Sequence, residues 1–325
     1  MTSRIIKRCA FRSATALIAL LAAMPTFAAG SSYSWKAVPV TNQPSPRLNS
    51  VMAYDAAAKN IVLFGGYDGT SYLDDTWIFN SSGWVQLHPP VSPPVRTAAA
   101  MAFDKQMNKL VMFGGFNGSN YLGDTWVWDG VAQTWTQENP TTLPTPVTLP
   151  MLYTDPLNGH VGMIGGYDGN FYQNITWQWT GTNWQFRNPV TWLWARGAAV
   201  VANDYAHGKV VIFGGLADVN PVNTWTWNGV NWTMENPSTQ PPWSYYTPAA
   251  YDPMVGGVVM FGGSSGLNFT WVWTGTDWIH LPTTNSPPSR DSHGLAYDYQ
   301  INRLIMFGGE SAGNLVDTTL EMIVQ

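Results

Sequence analysis

The chain has 325 residues, 45% of them hydrophobic and only 11% charged, with 18 Trp and a single Cys. A formal net charge of −5 excludes the dense positive surface that nucleic acid or anionic membranes recruit. One cysteine excludes a disulfide-built scaffold.

Arg4, Lys7, Arg8 and Arg12 precede an apolar run from Ala14 to Met24, and Thr26-Phe27-Ala28 supplies a small-residue cleavage site. This is the pattern of a secretory signal peptide over residues 1–28, too short for a membrane span with flanks. Residues 29–325 are therefore expected to be secreted or periplasmic, without membrane insertion. Removing the leader leaves eleven Lys and Arg against 20 Asp and Glu, and it removes Cys9. The mature core must hold without disulfides, and close to three hundred residues are enough for that.

From Ile61 onward one pattern occurs six times. An apolar run ends in a Gly pair, at Gly65-Gly66, Gly114-Gly115, Gly165-Gly166, Gly214-Gly215, Gly262-Gly263 and Gly308-Gly309, at spacings of 49, 51, 49, 48 and 46 residues. A sustained period near fifty predicts an array of blades. Ten residues before each first Gly stands an aspartate: Asp55, Asp104, Asp155, Asp204, Asp252 and Asp298. Apolar runs flank it, which predicts two strands joined by a tight turn whose amides the carboxylate caps. Runs such as VVIFGG are short, apolar and β-branched, as strands buried on both faces are.

After a polar loop, DTWIF, DTWVW, ITWQW, NTWTW and FTWVW predict a third strand with alternating aromatics. Trp84, Trp135, Trp184, Trp232 and Trp278 mark a fourth. Four antiparallel strands per repeat make a propeller blade. Each of these tryptophans lies twelve residues before the start of the next repeat, as Trp84 does before Arg96. Trp35 likewise stands twelve before Arg47, while the last repeat stops after DTTLEMIVQ without a fourth strand. The N-terminal YSWKAV is therefore predicted to complete the last blade. The expected fold is an all-β, six-bladed propeller with repeats at about 45–91, 92–142, 143–191, 192–240, 241–285 and 286–325 plus 31–44.

The Gly pair with its following Tyr-Asp-Gly, the Tyr-Leu-x-Asp before the third strand and the paired tryptophans resemble kelch repeats. The match runs through Gly65, Gly66, Tyr67, Asp68, Gly69, Tyr72, Leu73, Asp75, Trp77 and Trp84, and again through Gly114, Tyr121, Leu122, Asp124, Trp126 and Trp135. The last repeat departs with Thr319 where Trp is expected, and the fifth has a loop too short for the Tyr. The resemblance implies a kelch-type propeller of the galactose-oxidase-like superfamily, a fold that carries enzymes and binding modules alike. Galactose-oxidase copper chemistry needs a Cys–Tyr cross-link, which a mature chain without Cys cannot form.

Fifteen of the 18 tryptophans fall at repeat positions and are expected to pack between blades. Trp192, Trp194 and Trp243 remain, all in connectors flanking blade 4, with Tyr245 and Tyr246 following the last. Excess rings in one sector suit stacking against a sugar or another flat ligand; the alternative is a cap beneath the Pro-rich connectors. Arg47, Arg96, Arg196 and Arg290 share the position where the first strand is predicted to start. There they would ring the channel mouth and receive a carboxylate or sulfate, or else staple neighbouring loops. In some kelch proteins arginines at this position contact acidic ligands. The loops between second and third strands add Tyr67, Tyr72, Phe116, Tyr121, Tyr167, Tyr172 and the carboxylates Asp68, Asp168, Asp218 and Glu310.

The histidines show no metal-ligand spacing, no nucleophile or phosphate-loop motif occurs, and neither cofactor nor metal is expected. The reading is a monomeric, non-enzymatic binding or scaffold module that meets a glycan or protein partner through its loop face. The alternatives are a carbohydrate enzyme resembling the sialic-acid-acting kelch epimerases and mutarotases, and a structural assembly protein.

Overall fold

A computed structural model describes residues 32–218, 221–264 and 266–325; the signal-peptide reading of 1–28 lies outside them. Blade 1 consists of strands Val51–Asp55, Asn60–Tyr67, Tyr72–Asn80 and Gly83–Leu87, paired antiparallel in sequence order. Residues 100–138, 151–187, 200–235 and 249–281 repeat that arrangement as blades 2 to 5.

Blade 6 takes Gly294–Asp298, Arg303–Phe307 and Thr319–Val324 from the end of the chain, and its fourth strand, Tyr33–Ala37, from the beginning. Trp35 stands opposite Met322, as the twelve-residue spacing predicts. Thr283–Thr284 adds a short parallel pairing to Tyr33 and Ser34, covering an edge that would otherwise be open.

One register differs from the sequence reading. Thr319 pairs with Phe307 just as Thr76 pairs with Phe64. Leu320, not Thr319, therefore occupies the Trp77 position of blade 6, and the missing Trp is replaced by a smaller apolar side chain in the same contact.

Each of six apolar clusters is shared by two neighbouring blades. One joins Phe64 and Ile78 of blade 1 to Leu110, Met112, Trp126, Trp128 and Trp135 of blade 2; another joins blade 6 to blade 1 through Phe307, Ile305, Ile61, Leu63 and Trp84. Second strands are buried on both faces because a blade presents one face to each neighbour. Burying each such side chain is worth about 1.5–3 kcal/mol, so the ring holds by wedges of apolar contact.

Two circular hydrogen-bond systems bind the wedges together. In the first, each fourth-strand indole donates Nε1–H to a threonine on the third strand of the preceding blade. The pairs are Trp84–Thr319, Trp135–Thr76, Trp184–Thr125, Trp232–Thr176, Trp278–Thr224 and Trp35–Thr270, at 2.8 to 3.1 Å. A buried indole N–H needs an acceptor, and the Asp-Thr-Trp grammar supplies one.

The second is a girdle of backbone bonds around the axis. Asn49, Ala98, Leu149, Ala198, Tyr246 and Ser292 all have φ between 50° and 59°, a left-handed conformation unusual outside glycine. Each donates its N–H to the carbonyl of the equivalent residue one blade back, closing a cycle at 2.8 to 3.2 Å.

At the opposite end, the turn aspartates are 0–3% exposed. Asp55 Oδ1 accepts the N–H groups of Ala57 and Ala58, and Asp104 and Asp298 repeat the pattern. The predicted capping role is what the structure shows.

Candidate functional site

The loops between second and third strands and the connectors between blades emerge on one face. Four arginines fasten them from beneath. Arg47 is 1% exposed; its Nε donates to Ser45 O, Nη1 to Gly65 O and Asp75 Oδ1, and Nη2 to Ser45 Oγ and Asp75 Oδ2. All five N–H groups of the guanidinium are thereby used. Arg96 repeats this on Gly114 O and both oxygens of Asp124. Burial opposes the Asp124 charge, but the Arg96 hydrogen bonds and charge hold its pKa below the ordinary value.

Blades 4 and 6 keep the arginine without the carboxylate. Arg196 donates to Trp194 O, Gly214 O and the Asn223 side-chain oxygen. Arg290 donates to Gly308 O and Thr318 Oγ1, and its Nε is buried with no hydrogen-bond partner. Burial pushes both guanidiniums down to about 10.

The sequence offers these four arginines as ligand contacts at the channel mouth. The structure sets each four residues ahead of its first strand, as Arg47 is ahead of Val51, inside the loop base and away from the lining of the central cavity.

The three surplus tryptophans do not converge on one platform. Trp192 packs on Phe186 at 6.0 Å between ring centroids, and Trp194, 53% exposed, packs on Trp225 at 6.2 Å. Trp243 donates Nε1–H to Gly215 O and adjoins Tyr245 at 4.9 Å, which adjoins Tyr246 at 5.3 Å. Trp243, Tyr245 and Tyr246 form a connected cluster that ends on a girdle residue.

A longer aromatic run crosses blades 1 to 3. Tyr67 contacts Tyr72 at 4.9 Å, Tyr72 contacts Phe116 at 5.9 Å, Phe116 contacts Tyr121 at 5.3 Å, Tyr121 contacts Tyr167 at 5.9 Å, and Tyr167 contacts Tyr172 at 5.0 Å. All six rings are half-buried.

In blades 1 and 2 the second ring lies over a turn glycine of the next blade. A Cβ on Gly118 would sit 2.6 Å from Tyr72, and one on Gly169 would sit 2.5 Å from Tyr121. The turns are locked by side-chain acceptors: Asp68 Oδ1 takes the N–H groups of Thr70 and Ser71, and Asp168 Oδ1 those of Asn170 and Phe171. Those backbone bonds hold the pKa of Asp68 below its ordinary value.

Sequence reasoning names these rings loop by loop but not as one arc. The signal available was their shared offset: Tyr72, Tyr121 and Tyr172 each follow the last apolar residue before the Gly pair by the same eight positions.

The electrostatics of this face are one-sided. Its loops carry Asp68, Asp74, Asp168, Asp218, Asp291, Glu310 and Asp317 and no lysine, and its four arginines are the buried ones. Among the described residues, no group of three or more His, Cys, Asp or Glu side chains is placed to hold a metal ion.

The family model described as the KLHDC2/KLHL20/DRC7 Kelch-repeats domain matches residues 27–215, more than half of the chain. The match ends on the Gly pair of blade 4. Beyond it, the loop between second and third strands shortens in blades 4 and 5 while the strands persist. No curated protein matches the chain.

Proposed function

This chain belongs to the KLHDC2/KLHL20/DRC7 kelch-repeats family, and from that premise we propose that it is a non-enzymatic binding module working outside the cytoplasm. Kelch propellers are typically protein-binding scaffolds. The loop face here is read as the docking surface for a protein segment rich in Lys or Arg.

The observation that carries this reading is the arc of six half-buried rings from Tyr67 to Tyr172, bordered by Asp68, Asp168 and Asp218. Aromatic faces attract cationic side chains, carboxylates pair with them, and no free cation on these loops competes. The extracytoplasmic placement rests on the leader-like residues 1–28.

A glycan partner is the second reading. The exposed Trp194 and the connected Trp243, Tyr245 and Tyr246 cluster favour it, since flat rings stack on the apolar face of a sugar.

A basic-peptide array and a glycan array, probed with the wild-type chain, separate the two. The protein reading expects peptide binding that is lost in Tyr72→Ala/Tyr121→Ala and weakened by salt. The glycan reading expects sugar binding that is lost in Trp194→Ala/Trp243→Ala. Peptide binding unchanged in the tyrosine variant would end the first reading.

A further inference from the structure

The propeller has a second concavity that the loop face does not use. A cavity of about 910 Å³ runs along the axis, within the range that takes a small molecule whole. At one end its lining begins with Ser50, Thr247 and His293, residues that directly follow the girdle. The girdle residues themselves do not line it. At the other end the lining reaches the turns between first and second strands, through Lys59, Lys105 and Tyr299. The cavity therefore runs from just behind the girdle, on the loop-face side, to a mouth among the turns at the opposite end.

That mouth is chemically uneven. Blades 4, 5, 6 and 1 contribute Tyr205, Tyr251, Tyr297, Tyr299 and Tyr54. Tyr299 lies 4.8 Å from Tyr297 and 5.0 Å from Tyr54, and Tyr205 lies 5.6 Å from Tyr251. Tyr205 and Tyr299 are the most open, at 47% and 38% exposure. Blades 1 and 2 contribute Lys59 and Lys105, both exposed and neither in an ion pair among the described residues. The Lys105 ammonium spans the mouth to stand 4.8 Å from the Tyr205 ring centroid.

Among the described residues, no carboxylate lines the cavity. The six turn aspartates lie just behind the mouth, almost fully buried and bonded to turn amides. Two lysines thus line the cavity in a chain whose overall charge is negative. Part of the wall is small: Ala53, Ala100, Ala250 and Ala296 belong to innermost strands, which pair on one side only and so offer backbone N–H and C=O groups inward, except where the Thr154 and Asn203 side chains bond the backbone of Phe103 and Thr154.

We propose that this cavity binds a small ring-bearing carboxylate. The ring stacks on the tyrosines, the carboxylate sits between Lys59 and Lys105, and the free strand edges meet the remaining polar groups. Sugar acids and aromatic acids share this chemistry. The site is separate from the loop face, and its test is independent of that docking reading.

Isothermal titration of the full chain with galacturonate and benzoate, beside uncharged galactose and benzyl alcohol, tests it. At least one acid is expected to bind about tenfold more tightly than its uncharged counterpart, the size of a charge-assisted hydrogen bond. Lys59→Asn/Lys105→Gln should abolish that preference while thermal unfolding stays unchanged, Asn being tolerant of the left-handed backbone at position 59. Tyr299→Ala should weaken every ligand that binds. The source of the carboxylate follows from which acid binds. No binding of either acid, equal binding of acid and uncharged counterpart, or an unaffected lysine variant would overturn the proposal.

Discussion

Trp84 and Thr319 are 235 residues apart in sequence, and the indole Nε1–H of the first donates to the hydroxyl of the second at 2.8 Å. The bond joins blade 1 to Thr319–Val324, the strand that closes blade 6 against Tyr33–Ala37 from the other end of the chain. It matches the bond from Trp135 to Thr76, whose blade is one continuous stretch of chain. The blade closed from both chain ends is thus held to its neighbour by the same contact as every other blade. Thr319→Val keeps the shape and removes the acceptor, leaving a buried indole N–H unpaired at a cost of about 1–3 kcal/mol. Urea unfolding should give Thr319→Val and Thr76→Val similar losses. A much larger loss for Thr319→Val would show that the blade closed from both chain ends is the weaker one.

The arginine bases predict a stabilising substitution. Arg96 has the Asp124 carboxylate, whereas Arg196 has only the Asn223 amide oxygen. Asn223→Asp would give Arg196 the partner that blades 1 and 2 already use, and unfolding at pH 7 should show a gain of about 1–3 kcal/mol. Asp124→Asn should lose about 3 kcal/mol, because it strips the counter-charge from a buried cation. A loss in Asn223→Asp would mean that desolvating the second charge outweighs the pairing.

Apart from Asn49, the girdle is built from residues that tolerate φ > 0 poorly. Ala98, at φ 54°, bears a left-handed penalty of about 1–2 kcal/mol that Ala98→Gly would relieve, less the entropy of a freer unfolded chain. Its N–H still reaches Asn49 O at 2.9 Å. The melting temperature should rise by one to a few degrees, on the order of 0.5–1 kcal/mol. A fall would locate the strain elsewhere in the connector.

Acid stability has two opposed contributors. Burial, reinforced by the Arg290 charge, pushes the His293 imidazole down to about 3 from 6.5. Its contribution is full above pH 6.5 and is lost as pH falls toward 3, amounting to on the order of 2 kcal/mol at pH 5. Asp252 runs the other way. Burial raises it from 3.8 to about 6, so the folded carboxyl takes its proton first and adds stability as pH falls from 6 to 3.8. Between pH 7 and 5, His293→Leu should lose less stability than wild type, and Asp252→Asn should lose more. Identical pH slopes in all three chains would exclude both assignments.

The blade count and ring closure were legible because Gly pairs, turn aspartates and strand tryptophans recur at spacings set by strand length, and Trp35 keeps that spacing. Asp55 and its equivalents announce their role because an aspartate caps its own turn locally. The girdle was hidden. Its six residues share a backbone conformation but no side-chain type, and only neighbouring blades hold that conformation in place. The arginine positions were visible but their depth was not, since burial depends on the carbonyls of Gly65, Gly114, Gly214 and Gly308 meeting them from another loop. The Thr318-Thr319 pair offers no aromatic mark, so only pairing with Phe307 fixes the register of that strand.

The strand at Tyr33–Ala37 finds its partner only at Thr319–Val324. While the chain is being made, this early segment and its large indole wait for nearly the last residues to appear, roughly a quarter of a minute to a minute at ordinary synthesis rates. Throughout that interval the growing chain is an arc with an unpaired β edge and an unburied tryptophan, a form suited to capture by a holdase or by a second nascent copy. Ser32 and Gln325, which exchange two backbone hydrogen bonds in the finished ring, mark the moment at which that exposure ends.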